Sequence, residues 1–329
     1  MKNWRNQVAV LTASAVLASP LVTLADTVKV DAQLPAYEKV DGISGTLNSV
    51  GSDTMNNLLK FWGEAFKKYY PGVTIQIEGK GSSTAPPALI AGTAQLGPMS
   101  RAMKSTEIDQ FEAKYGFKPT TIRTALDALA VFVNKDNPIE GLTFEKLDAI
   151  FSKNRSHGYA ENIVTWGQAG LSGGWADMPI SLYGRNSASG TYGFFKDEAL
   201  KKGDFKDQVK EQPGSASVVQ GVTEDKGAIG YSGIGYLTSG VKTISLAEKA
   251  DGEMYAPTFE NVVAKKYPLA RYLYICVVKT PNEQLSPLVR EFLRFVLSRE
   301  GQEIVVKDGY LPMPAGVAAD ELRKLGLAG

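Results

Sequence analysis

Between residues 45 and 78 the chain changes its hydrophobic period twice. Gly45-Thr-Leu-Asn-Ser-Val50 alternates apolar and polar positions, as a half-buried strand does. Met55, Leu58, Leu59, Trp62, Phe66 and Tyr69 then recur at helical spacing, with Lys60, Glu64, Lys67 and Lys68 falling elsewhere, and Pro71-Gly72 ends the run. Val73-Thr-Ile-Gln-Ile-Glu78 alternates again. Strand, helix and strand within about 35 residues form a βαβ unit, which predicts a parallel sheet and α/β architecture.

The same reading continues along the chain. A short helix is predicted over 85–91, with Pro86 and Pro87 tolerated in its first turn, where the missing N–H groups have no intrahelical partner. Ala125 to Val133 is an apolar run broken only by Asp127, the pattern of a buried central strand. Further helices are predicted over 142–151 and 191–202, and strands over 179–183, 227–231 and 272–278. Ser286-Pro287 opens a helix through Leu297, serine as cap and proline at the first position. A last helix runs from Ser298 to a stop at Gly309. Two α/β blocks with C-terminal elements left over suggest a chain that leaves one lobe, builds a second and returns. The expected division is 43–124 plus 263–329 for the first lobe and 125–262 for the second, after a loose leader over 26–42.

The first 25 residues do not fit a globular pattern. Lys2 and Arg5 precede an almost wholly apolar or small run, Val8 to Val22, and small residues then flank a cut before Asp26. That order predicts a secretory signal peptide and hence export, to the periplasm. The run of about 15 apolar residues is too short to span a bilayer comfortably. The segment holds two of the 36 basic residues and none of the 35 acidic ones, so the remainder is close to neutral. With no dense basic stripe, no nucleic-acid partner is expected. The length of that remainder also favours two lobes, because single cores stop growing near ~250–300 residues.

Residue counts remove several chemistries. Cys276, the single cysteine, lies in the apolar run 272–278, so there is no internal disulfide, no lipid attachment at the cut and no Cys-rich metal site. His157, the single histidine, stands in the polar stretch Lys153-Asn-Arg-Ser-His-Gly158. A Ser-His-Asp triad would have to use it, and a multi-histidine zinc site within one chain is excluded. Neither a cofactor nor a metal is expected.

What remains is a repeated local chemistry. Gly51-Ser-Asp-Thr54, Gly81-Ser-Ser-Thr84 and Ser187-Ala-Ser-Gly-Thr191 each sit between a predicted strand and a predicted helix. A helix N-terminus presents unpaired backbone N–H groups and the positive end of the helix dipole. Glycine lets a ligand approach the backbone and hydroxyls add donors, which together suit a small oxyanion. One such segment is an ordinary cap; three at strand-to-helix turns suggest a shared site outside the carboxyl ends of the strands. Arg185 ends a predicted strand just before the third segment and can give a forked, charge-assisted contact worth roughly 1.5–3 kcal/mol. Asp53 is expected to accept a ligand proton. Gly79-Lys80-Gly81-Ser82 does not have the spacing of a phosphate-binding P-loop.

As a set, Gly51-Ser-Asp-Thr-Met55, Gly79-Lys-Gly-Ser-Ser-Thr84, Gly97-Pro-Met-Ser-Arg101 and Arg185-Asn-Ser-Ala-Ser-Gly-Thr191 resemble the phosphate-binding proteins of Pst-type ABC importers. Gly227-Ala-Ile-Gly-Tyr231 and Gly309-Tyr-Leu-Pro-Met-Pro314 add to the likeness, which extends over about 46–314. The resemblance implies a type 2 periplasmic-binding-protein fold: two α/β lobes joined by two crossover strands, with phosphate in the cleft. It further implies a binding component rather than an enzyme, working with membrane ABC permease subunits. Thr54, the backbone of Met55, Ser83 and Ser100 would be the first-lobe contacts, and Arg185, Ser189, Gly190 and Thr191 those of the second lobe. Better-known members carry a proton-accepting aspartate where this chain has Arg101, and often another aspartate at the place of Ser187. Asp53 is therefore expected to replace that acceptor, with Arg101 pairing with it or contacting phosphate.

Other readings stay open at this point. Sulfate or molybdate would suit the same loops, although neither carries a proton for Asp53. A secreted phosphatase would need a histidine base or metal ligands that are not evident. An adhesin could reuse the fold without needing the loops to converge. A monomer is the simplest expectation.

Overall fold

The computed structural model describes residues 28–327, so the predicted signal peptide lies outside the described residues. The chain opens with the expected unit. β1 (Gly45–Gly51) runs parallel to β2 (Val73–Gly79), and α1 (Asn56–Tyr69) connects them. Leu58, Leu59, Trp62 and Phe66 form the buried stripe of α1, and Trp62 Nε1 donates to the Gly301 carbonyl at 2.8 Å. α2 (Ala85–Ile90), β3 (Gly97–Met99) and α3 (Ser105–Tyr115) follow, leading into the long strand β4 (Thr120–Asn134).

The next block holds β5 (Gly141–Thr143), α4 (Phe144–Phe151), α5 (Trp166–Ala169), β6 (Ser181–Arg185), α6 (Gly190–Glu198), β7 (Lys210–Gln212) and α7 (Ser215–Glu224). It continues with β8 (Ala228–Gly233), β9 (Val241–Thr243), β10 (Ser245–Ala247) and α8 (Phe259–Val263). β6 lies parallel to both β7 and β8. β11 (Ala270–Val277) then carries the chain back, followed by α9 (Pro287–Val296), α10 (Arg299–Lys307) and α11 (Ala315–Leu325).

β4 and β11 are the crossover strands. Residues 120–128 of β4 pair antiparallel with β11, whereas 129–133 pair with β8, so one strand links the two halves of a seven-stranded sheet. It is buried without interruption from Thr124 to Asn134, which explains its apolar run. One core gathers Trp62, Phe66, Phe292 and Leu273 against Ile122 and Ala125; another gathers Trp166, Phe195 and Tyr231 against Leu126, Leu129 and Val131. The change of core thus falls between Ala125 and Leu126. Leu311, on the returning chain, exchanges both backbone hydrogen bonds with Leu126 and so pins the crossing. This is the α/β, two-lobed arrangement that the patterns predicted.

Several local expectations are corrected. The helix predicted from Leu142 begins at Phe144, because Gly141–Thr143 pairs with β10 and Thr143 Oγ1 caps Lys146 N at 3.3 Å. The helix predicted to Lys202 ends at Glu198, and Lys201 and Lys202 take positive φ values of 49° and 64°. Ser286 makes no side-chain cap bond, although Pro287 does open α9. Gly309 does not close the last helix, since α11 follows it. Among the described residues, no helix is long and apolar enough to cross a membrane.

The leader is not loose over its described part. Leu34 and Tyr37 are buried in the first core, Arg299 N donates to the Pro35 carbonyl at 2.9 Å, and Tyr37 N donates to Glu300 Oε2 at 2.7 Å. Isolated apolar anchors hold a segment that has no helical or strand period, and this is why its pattern reads as loose. Leu34→Ala is therefore expected to destabilise the protein by about 2–5 kcal/mol in urea unfolding, as buried leucines do. A mobile leader would leave the midpoint unchanged.

Candidate functional site

The site is assembled from turns at the carboxyl ends of strands. Ser52–Thr54 joins β1 to α1, Gly81–Thr84 joins β2 to α2, and Ser100 follows β3; these belong to the first lobe. From the second lobe, residues 186–189 join β6 to α6. The turns meet across the cleft. Thr54 Oγ1 and Thr191 Oγ1 are 2.9 Å apart, Ser100 Oγ is 3.5 Å from Thr191 Oγ1, and Ser83 N donates to the Ala188 carbonyl at 3.1 Å. Within the first lobe, Ser82 Oγ accepts from Ser100 N at 3.0 Å and lies 3.3 Å from Ser100 Oγ. The lobes are closed on one another, with four hydroxyls in a continuous chain.

Two glycines make this approach possible. Gly81 has φ +115°, and a Cβ there would meet the Ala188 carbonyl oxygen at 2.5 Å. A Cβ at Gly190 would lie 2.7 Å from Ser100 Oγ and closer still to Ser82 Oγ. At Gly81 the obstacle is backbone, so no side chain fits while the turns are in contact; at Gly190 the two serines would have to shift.

Asp53 and Arg185 form the charged part of the interface. Arg185 is 1% exposed; its Nη2 lies 3.2 Å from Asp53 Oδ2, Nη1 donates to Ser215 Oγ at 2.7 Å, and Nη2 donates to the Pro213 carbonyl at 3.1 Å. Arg185 Nε is buried without a hydrogen-bond partner among the described residues. Burial pulls the guanidinium below its ordinary pKa range, and the Asp53 carboxylate opposes that pull. Asp53 Oδ2 also accepts from Ser215 N, the start of α7, at 2.8 Å, which places a carboxylate at a helix N-terminus. Tyr236 Oη donates to the Asp53 carbonyl at 3.0 Å and Tyr310 Oη to the Thr54 carbonyl at 2.8 Å, holding this turn from both lobes. Burial pushes both phenols up, so they remain donors.

Arg101 does not pair with Asp53. Its fork takes Glu107 of α3 at 2.8 and 2.6 Å, and Nη2 also donates to Ser83 Oγ at 3.2 Å. The physical reason is proximity: Glu107 lies in the first turn of α3, six residues on, whereas Asp53 is engaged by Arg185. Ser189 Oγ caps α6, accepting from Thr191 N at 3.1 Å and Tyr192 N at 3.4 Å, and its own proton is left to donate. Met55 is fully buried at the N-cap position of α1.

Two crossover-strand residues were not singled out as site residues from the sequence. Arg271 stands opposite Asp127 in the β4–β11 register; its Nε and Nη2 both meet Asp127 Oδ2, at 2.8 and 2.7 Å. Its Nη1 donates to the Ser100 carbonyl at 2.8 Å and Nη2 to Thr191 Oγ1 at 2.9 Å. The signal was Asp127, the one charge in an apolar run. The Pro213–Ser215 turn was missed as well, having no predicted helix behind it.

Hydroxyls, guanidinium groups and helix N-termini facing each other between two α/β lobes are what a two-lobed binding protein for a small oxyanion requires. A family model described as the PBP superfamily domain matches residues 37–300. The phosphate-binding protein PstS of Pseudomonas aeruginosa is 56% identical over 298 residues, covering 91% of this chain and 92% of that protein. A substrate-binding protein from Clostridium perfringens with bound phosphate superposes with a TM-score of 0.68 at 26% identity, covering 82% of this chain and 100% of that one. An ABC-type phosphate transport receptor from Vibrio cholerae gives 0.61 at 25% identity, with coverage of 82% and 100%. The chain belongs to the PBP superfamily and, within it, to the PstS family of phosphate-binding proteins.

Gly190→Ala would place a methyl group against Ser82 and Ser100. The variant is expected to hold the lobes apart, giving a larger radius of gyration than the parent in small-angle X-ray scattering with phosphate present. An unchanged radius would mean that the serines rotate aside and closure survives.

Proposed function

We propose that this protein captures inorganic phosphate outside the cytoplasm, in the cleft between its lobes, and delivers it to the membrane subunits of an ABC permease. The observation that carries this reading is that the Thr54 and Ser100 hydroxyls both come within 3.5 Å of Thr191 Oγ1 at the closed interface, beside the Asp53–Arg185 pair. A desolvated oxyanion needs several fixed donors, and helix starts at α1 and α6 supply backbone N–H groups with the hydroxyls. Thr54, Met55, Ser83, Ser100, Arg185, Ser189, Gly190 and Thr191 are the proposed contacts. Arg101 acts on the anion through Ser83, whose hydroxyl it orients.

Asp53 supplies the selectivity. Phosphate near neutral pH keeps at least one hydrogen, whereas sulfate has none to donate and meets bare repulsion of several kcal/mol. Asp53 Oδ2 already takes Arg185 and Ser215 N, and among the described residues no donor is bonded to Oδ1. That oxygen is the proposed acceptor of the ligand proton.

A binding role rather than catalysis accounts for the same groups. His157, the one histidine, donates its backbone N–H to Asp148 and packs on Phe144, so it is not poised beside the cleft hydroxyls as a base. Export by the N-terminal segment, a periplasmic location and action as a monomer complete the proposal.

Titration calorimetry of the protein, unfolded and refolded to strip bound ligand, is expected to give one-to-one phosphate binding at micromolar affinity or better, about −8 kcal/mol. Sulfate should bind at least about 100-fold more weakly. Asp53→Asn should shrink that gap; if the preference is unchanged, the proton acceptor lies elsewhere. Equal binding of both anions by the parent would retain the anion cleft and remove phosphate selectivity.

A further inference from the structure

We propose that Arg271, anchored by Asp127 in the crossover strands, is the positioning residue that ties the hinge to the bound anion; this rests on the phosphate reading above. Arg271 is 6% exposed and Asp127 is fully buried, so neither charge is accounted for by solvent. Asp127 uses Oδ2 for the guanidinium and Oδ1 for the backbone N–H of Ile234 at 3.0 Å, which fixes it on both sides. The remaining Arg271 donors leave the hinge in two directions. One reaches Ser100 of the first lobe and the other Thr191 of the second. The guanidinium carbon further lies over the Phe194 ring, 5.3 Å from its centroid.

This geometry dictates the polarity of Thr191. A hydroxyl has one proton and two acceptor sites, and arginine can only donate. Thr191 Oγ1 therefore accepts from Arg271, and its proton turns toward Thr54 and Ser100, the side on which the anion is proposed to lie. Polarisation by a charged donor strengthens the hydrogen bond that Thr191 then gives. The contact to Ser100 lies along the β3–β11 pairing and fixes the guanidinium on the first-lobe side, so the contact to Thr191 is the one that forms only when the lobes meet. Arg271 thus favours the closed form and makes Thr191 a donor without touching phosphate.

Removing Arg271 alone would leave Asp127 as an unpaired buried charge, so the informative variant is Asp127→Asn with Arg271→Gln. Its thermal unfolding without phosphate should stay near that of the parent, while calorimetry with inorganic phosphate shows affinity reduced by about 30-fold or more. Stopped-flow release should place most of the loss in the dissociation rate, because a closure contact is lost. Arg271→Lys should recover part of the affinity. Thr191→Val should cost much less in the double variant than in the parent, since the two residues act as a unit. Parent-like affinity in the double variant, or fully additive losses with Thr191→Val, would overturn the proposal. A parent chain that binds no phosphate would overturn this and the phosphate reading together.

Discussion

A buried guanidinium requires a carboxylate, and the cleft is organised around that requirement. An unpaired ion taken out of water costs several kcal/mol even after relaxation, so each cation here comes with its own anion. Arg185 has Asp53, Arg271 has Asp127 and Arg101 has Glu107. The carboxylates do not exhaust the arginine forks, and the spare N–H groups turn to Ser215, Pro213, Thr191, Ser100 and Ser83. What the cleft offers an anion is a set of oriented donors more than an excess of charge.

Two of these pairs also determine how the lobes relate. Asp53 lies on the first-lobe turn before α1 and Arg185 at the end of β6 in the second lobe, so their contact exists only on closure. Asp127 and Arg271 are cross-strand neighbours where the chain passes between lobes. The first pair acts as a latch and the second as part of the hinge. Gly81 and Gly190 let the turns between them come within hydrogen-bond reach, so completing the site and closing the lobes are one event.

Local pattern was most informative where one face of an element meets a core. The α1 stripe, the alternation of β1 and β2 and the continuous apolar β4 follow directly from burial on one face or on two. It was least informative for elements whose apolar positions are few or irregular. α3 buries only Phe111 of its eleven residues, and α11 only Ala318, Glu321 and Leu325. Glu321 is wholly buried yet paired with Arg123, a combination that no hydrophobic period can reveal.

The amino-acid sequence by itself determined the α/β class, the turns rich in glycine and hydroxyl groups, and Arg185 at a strand end, because each depends on residues close together in the chain. Only the tertiary structure decided the partners. Asp53 meets Arg185 across 132 positions and Arg271 meets Asp127 across 144, while Arg101 turns to Glu107 nearby. The cause is that an ion pair in a low-dielectric interior goes to whichever charge the fold brings within a few ångströms, and distance along the chain has no bearing on it.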